Sequence, residues 1–271
     1  MMRAEAAGKF KLAAIDLDGT LLGPGQVVSL ENAQAVRRLQ ESGAQVVLAS
    51  GRHYNSMRKY ADALPGMQWI VSCQGGELSD LPRTTVISRK FLSADEVQKA
   101  VDTGTSLGFT VLAYAIAGVF TTSPRNTELD LYARLAGQRP LEIRRTELLT
   151  LDIFKVIWLG KPEAISQAGG AMTGPHIQAV RTQERFLEWM PRVVSKAFAL
   201  QALAARLGIA SSEVVAFGDG DNDIPMFDWA GASVAMPHGW PRARQRAGFV
   251  APEGPEESAL ARAVDLILRA P

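Results

Sequence analysis

Asp16 and Asp18 stand one residue apart at the end of an apolar run, Leu12-Ala13-Ala14-Ile15, and Gly19-Thr20 turn the chain directly afterwards. An extended strand points alternate side chains the same way, so this spacing aims both carboxylates into one small space. Two carboxylates that close repel each other unless a cation or a shared proton lies between them. Oxygen ligands favour a hard ion such as Mg²⁺. Asp and Gly are also ordinary turn residues. Even so, four specified positions arise by accident only about once in several hundred chains of this size.

Two further polar clusters follow apolar strands. Ala44–Ala49 leads into Ser50-Gly51, and Val214–Phe217 leads into Gly218-Asp219-Gly220-Asp221-Asn222-Asp223. A strand ending in Ser-Gly is commonplace; three carboxylates and an amide within five residues are more specific. In open α/β sheets, ligands bind outside the carboxyl ends of the strands, near a topological switch point. Every one of these clusters falls at such an end. The three histidines, His53, His176 and His238, are isolated, so no His/Cys zinc spacing exists.

The elements that must position these groups come from both ends of the chain. A strand over 11–17, a helix opened by Ser29 and stopped at Gly43, a strand over 44–49, a helix over 54–64 and a strand over 69–73 alternate in the manner of a parallel sheet covered on both faces. From about Asp80 the pattern changes. Ser93 and Glu96 form a capping box at the head of a helix running to Leu107. Strands over 109–115, 119–122, 153–159, 177–182 and 185–189, with helices at 126–136 and 163–172, predict a largely antiparallel sheet. Alternation resumes with a helix headed by Ser195 and closed by Gly208, strands over 214–217 and 232–235, and a final helix over 256–268. The simplest architecture is a doubly wound, Rossmann-like core built from 1–81 and 189–271, with an α/β module inserted at 82–188.

The bulk composition excludes several classes. With 271 residues, 47% of them hydrophobic, the chain can fill two domains. A net charge of +1 argues for neither a nucleic-acid groove nor a membrane-surface helix. Its longest apolar runs are too short to span a bilayer. One cysteine, Cys73, excludes an internal disulfide and suits a reducing cytosol. Residues 1–9 lack a signal peptide's apolar middle and read as a loose tail. The expectation is a cytoplasmic protein.

Taken in order, Asp16-Leu17-Asp18-Gly19-Thr20, Ser50-Gly51, Lys196 and Gly218-Asp219-Gly220-Asp221-Asn222-Asp223 resemble the four motifs of the haloacid dehalogenase-like (HAD) phosphohydrolases. The insertion resembles the α/β cap (C2B type) of the Cof subgroup. Glu188-Trp189-Met190-Pro191 before Val194-Ser195-Lys196, and Ile224-Pro225-Met226 after Asp223, agree with that subgroup. Only the N-terminal tail lies outside the resemblance.

The resemblance implies a Mg²⁺-dependent phosphomonoester hydrolase for small phosphorylated metabolites, either sugar phosphates or a phosphorylated cofactor. Asp16 would be the nucleophile that becomes an aspartyl-phosphate, and Asp18 the general acid and then base. Mg²⁺ would take the carboxylates of Asp16 and Asp219 and the backbone carbonyl of Asp18, with Asp223 anchoring its water shell. Ser50, Gly51, Lys196 and Asn222 would bind the phosphate, Asn222 alternatively holding the lysine. Gln74-Gly75-Gly76 stands where the subgroup usually carries Asn-Gly, and Val193 where a glycine is usual. Two alternatives remain: a phosphomutase or specialised sugar-phosphate phosphatase of the same superfamily, and a non-catalytic receiver-like domain that binds Mg²⁺ and phosphate.

Overall fold

The computed structural model describes residues 10–172 and 174–269. The expected tail at 1–9 lies outside them. The chain divides into two units. One comprises the chain up to Ser50, Met57–Ser88 and everything from Ser195 on; the other comprises Gly51–Ser56 and Arg89–Val194.

In chain order the elements are β1 (Leu12–Ile15), α1 (Leu30–Glu41), β2 (Gln45–Ala49), α2 (Tyr54–Asp62), β3 (Trp69–Ser72), β4 (Glu77–Asp80) and β5 (Val86–Arg89). Then come α3 (Ala94–Ser106), β6 (Thr110–Ala115), β7 (Val119–Thr121), α4 (Thr127–Ala136), β8 (Leu141–Glu142), α5 (Arg145–Leu148), β9 (Ile153–Leu159), α6 (Pro162–Gln167), β10 (Ile177–Gln183) and β11 (Phe186–Pro191). The chain ends with α7 (Lys196–Leu207), β12 (Val214–Gly218), α8 (Ile224–Trp229), β13 (Ala232–Ala235), α9 (Pro241–Arg246), β14 (Phe249–Val250) and α10 (Ala259–Arg269).

The first unit holds a sheet in the order β14-β13-β12-β1-β2-β3-β4-β5. Pairing is parallel from β14 to β3, and β4 runs antiparallel to β3. All four residues of β1 and all five of β12 are buried, as a strand covered on both faces requires. Leu12, Ala14, Val47, Val71, Val214 and Ala216 pack with Leu200 and Leu203 of α7 and Met226 of α8. The alternate residues Ala13, Ile15 and Val215 point to the other face. Helix α1 packs against α10, and the Asn32 Oδ1 accepts the Ala261 N–H at 3.0 Å.

The second unit has its own sheet, in the order β10-β11-β9-β6-β7-β8, antiparallel except for β7 with β8. Its core joins Val97 and Val101 of α3 to Val111, Ile153, Trp158, Leu187 and Trp189 of the strands. Phe109 stacks on Trp158 at 5.4 Å, and the Trp158 Nε1 donates to the Ala100 carbonyl. The capping box of Ser93 and Glu96 forms at the head of α3 as the sequence predicts.

The divisions expected at 82 and 188 move. Strand β5 continues the first sheet beyond residue 81. Strand β11 hydrogen-bonds between β10 and β9, which keeps residues through Pro191 in the second sheet. The second unit therefore runs to Val194 and also takes in Gly51–Ser56.

Candidate active site

Three neighbouring strands of the first unit, in the order β12-β1-β2, end side by side. Ile15 lies opposite Phe217 on one side and Leu48 on the other. The chain winds outward from β1 in both directions, which makes these carboxyl ends the switch point of the sheet. Asp16 leaves β1, Ser50 leaves β2 and Asp219 leaves β12.

Strand β1 stops at Ile15, so Asp16 and Asp18 leave it in a turn instead of sharing a strand face as their spacing predicts. The Leu22 N–H donates to the Leu17 carbonyl at 2.8 Å and closes that turn. Asp18 is half-buried, and its charge reaches both Asp16 and Asp219. The carboxylates that converge within 4.8 Å of one another, however, are those of Asp16, Asp219 and Asp223.

Lys196 is the first residue of α7, and the Ser195 hydroxyl caps that helix by accepting the Phe198 N–H at 3.1 Å. The preceding β3 turn sets where the helix begins. Cys73, Gln74 and Gly75 all have left-handed backbone (φ 53°, 63° and 98°). A Cβ on Gly75 would lie 2.1 Å from the Ser195 carbonyl oxygen. Only glycine permits that approach.

The Lys196 side chain is fully buried. Its Nζ donates to Asp16 and, at 2.6 Å, to the Asp223 Oδ1. The Asp223 Oδ2 accepts the N–H groups of Asp219 and Gly220, each at 2.9 Å. Both oxygens of Asp223 are thus committed to holding the lysine and the acidic loop. Gly218 makes room for this, since a Cβ there would meet the Asp223 carboxylate at 2.4 Å.

Burial pushes the Asp16 carboxyl up to about 7; Lys196 opposes the rise, while the Asp223 and Asp18 charges add to it. Asp219 lies well above the usual carboxylate range, because of burial and then the charges of Asp16 and Asp223. Burial works against the Lys196 ammonium, but Asp16 and Asp223 together outweigh it and raise its pKa above the ordinary lysine value. The cluster holds more negative charge than one lysine balances. Oxygen ligands suit a hard divalent ion, and the carboxylate oxygens of Asp16, Asp219 and Asp223 lie close enough together, within 4.8 Å, to gather around one. The residues fit a divalent cation.

The remaining expected residues fall as follows. Ser50 is buried, its N–H donating to the Val71 carbonyl at 2.9 Å and its carbonyl accepting the Gln74 N–H at 3.0 Å. Gly51 opens the short segment of the second unit, where its carbonyl accepts from the Lys155 Nζ at 2.7 Å. The Asn222 Nδ2 donates to the Gln74 Oε1 at 3.2 Å. His53 is buried in the second unit, its Nε2 bonded to the Ala115 carbonyl at 2.8 Å.

Two participants escape sequence reasoning. Gln74 is the partner of Asn222, and its only signal is the unusual Gln-Gly-Gly turn. His238, which looks isolated in the sequence, bonds the Gly19 carbonyl through its Nε2 at 2.7 Å.

The model of the haloacid dehalogenase-like hydrolase family matches residues 13–264. The Bacillus subtilis (strain 168) protein YxeH is 29% identical over 248 residues, covering 89% of this chain and 92% of its own. The 5-amino-6-(5-phospho-D-ribitylamino)uracil phosphatase YcsE of the same organism is 27% identical over 241 residues, 89% of each chain. A crystal structure of a haloacid dehalogenase-like hydrolase from Bacteroides thetaiotaomicron superposes with a TM-score of 0.82 at 26% identity, covering 96% of this chain and 100% of that one. The chain belongs to the haloacid dehalogenase-like hydrolases, in their Cof-type subgroup. Within that family it is a phosphatase, a hydrolase of phosphoric monoesters. No helix among the described residues is long and apolar enough to cross a membrane.

Proposed function

We propose that this phosphatase hydrolyses small phosphorylated metabolites in the cytoplasm, with Mg²⁺ as cofactor and an aspartyl-phosphate on Asp16 as intermediate. The observation that carries the reading is the buried Asp16 carboxylate, bonded to Lys196 and within 4.8 Å of the Asp219 and Asp223 oxygens. The relative YcsE is named for a phosphorylated ribitylamino-uracil, which is the size and kind of substrate proposed.

In this reading one Asp16 oxygen attacks phosphorus, and the bond to the leaving alcohol oxygen breaks. Asp18 gives that oxygen a proton, then takes one from the water that cleaves the aspartyl-phosphate and releases inorganic phosphate. Lys196 and Ser50 hold the phosphate oxygens, with Gly51 and Asn222 beside them. Lys196 also fixes the attacking carboxylate, so nucleophile and phosphate ligand are oriented by one ammonium. Asp16 and Asp219 would carry the cation, with Asp18 adding a backbone carbonyl, and Asp223 would hold the loop that presents Asp219. When bound, the ion neutralises charge on the transferring phosphoryl group.

A phosphate-release screen over phosphorylated metabolites, run with Mg²⁺ and again with chelator, tests the reading. Chelator-sensitive release of free phosphate from a small phosphomonoester supports it. Transfer to a second sugar without free phosphate would make the chain a mutase, and metal-independent turnover would refute the cofactor assignment.

A further inference from the structure

The loop after β13 touches both acidic segments of the first unit. The Met236 N–H donates to the Gly218 carbonyl at 2.9 Å, and the Gly239 N–H closes a turn on the Met236 carbonyl at 3.0 Å. The Trp240 N–H donates to the Asp219 carbonyl at 2.7 Å. Gly239 lies so near that carbonyl that a Cβ would sit 2.6 Å from its oxygen. From the same turn the His238 ring reaches the first acidic segment, bonding the Gly19 carbonyl at 2.7 Å. A carbonyl only accepts, so Nε2 carries the proton. The other ring nitrogen is buried and finds no hydrogen-bond partner among the described residues. The ring's bonding is therefore spent on Gly19.

Gly19 is the point where the two acidic segments meet. Its backbone is left-handed (φ 76°), and a Cβ there would lie 2.6 Å from the Asp219 Oδ2. A turn with no side chain thus lies directly against a carboxylate assigned to the cation. We infer that His238 is a positioning residue: it holds Gly19 against Asp219 while Trp240 holds the Asp219 backbone, and together they set the spacing of the cation's acidic ligands. This rests on the reading of Asp16 and Asp219 as cation ligands. Groups that orient metal ligands from outside typically alter affinity by about 10- to 100-fold when removed.

Mn²⁺ binding to the full chain, followed by calorimetry and by loss of the free-ion electron paramagnetic resonance signal, tests this apart from activity. His238→Phe keeps a ring and removes the donor; His238→Gln removes the ring and keeps an N–H of similar reach. Each variant's melting temperature is measured in chelator, so that a loss of fold is separated from a loss of affinity. The inference predicts Mn²⁺ binding weaker by about tenfold in His238→Phe. It predicts affinity within about threefold of the parent in His238→Gln. Parent-like affinity in His238→Phe overturns it, as does equal weakening in both variants at unchanged melting temperature. If the parent chain itself fails to bind Mn²⁺, the cation reading falls first and this inference falls with it.

Discussion

The Lys196 ammonium joins Asp16 to Asp223, bonding a carboxylate from each end of the chain inside a fully buried site. One side chain thereby orients the expected nucleophile and locks the loop that presents Asp219. Breaking a buried ion pair from one side typically costs about 3–5 kcal/mol, because a charge is left without its partner. Lys196→Met should therefore lower the unfolding free energy by about that amount at pH 7.5. It should also reduce kcat/KM for an aryl phosphate by about 10²–10³-fold, as the loss of a charged phosphate ligand does. Urea unfolding and steady-state kinetics check both. A variant with normal kcat/KM would remove Lys196 from the site.

The raised carboxyl pKa values of Asp16 and Asp219 predict a pH dependence for the metal-stripped protein. Asp16 titrates near 7 in the fold against 3.8 ordinarily, so between those values the folded chain holds protons that the unfolded chain has released. Stability then falls as pH rises through that window and levels off above it. Half-buried carboxylates whose pKa is lowered, such as Asp80 and Glu213, act the opposite way, but their contribution is complete by about pH 5. Melting temperature in chelator should decline from pH 5 to 7.5, and Mg²⁺ should restore it most at the upper end. A chelated protein that melts higher at pH 7.5 than at pH 5 would contradict the electrostatics described here.

The second unit contains a separate buried pair. The Lys155 Nζ donates to the Glu188 Oε2 and to the Gly51 carbonyl, both at 2.7 Å, and the Thr182 hydroxyl donates to the other Glu188 oxygen at 2.9 Å. Lys155→Met should destabilise the protein by about 3–5 kcal/mol, since Glu188 keeps its charge without a cation. Adding Glu188→Leu should recover most of that loss in urea unfolding. A double variant no more stable than the single one would show that packing, not charge, sets the cost.

Much of this was legible because it rests on local pattern. The continuous apolar runs at Leu12–Ile15 and Val214–Gly218 announce buried parallel strands, and the Ser93 and Ser195 caps mark their helices. Strands β4 and β5 escape because Glu77-Leu78-Ser79-Asp80 and Val86-Ile87-Ser88-Arg89 carry no such run; sheet pairing, not propensity, makes them extended. Spacing alone puts the acidic pair on a strand, because it cannot say where a strand ends. Motif order brings Lys196 and Asp223 into one site without saying that they bond. His238 carries no periodic signal at all, and its contact with Gly19 depends on where the chain returns after β13.

In the proposed reaction Asp16 accepts the phosphoryl group and Asp18 activates the water that removes it. An aryl phosphate has a leaving group that needs little protonation, so Asp18→Asn should still phosphorylate but hydrolyse the intermediate slowly. Quenching that variant during turnover, reducing with borohydride and sequencing the peptide by mass spectrometry reads the site directly, because an aspartyl-phosphate becomes homoserine. Homoserine is expected at position 16. Homoserine elsewhere, or none while phosphate is still released, would contradict the proposed reaction.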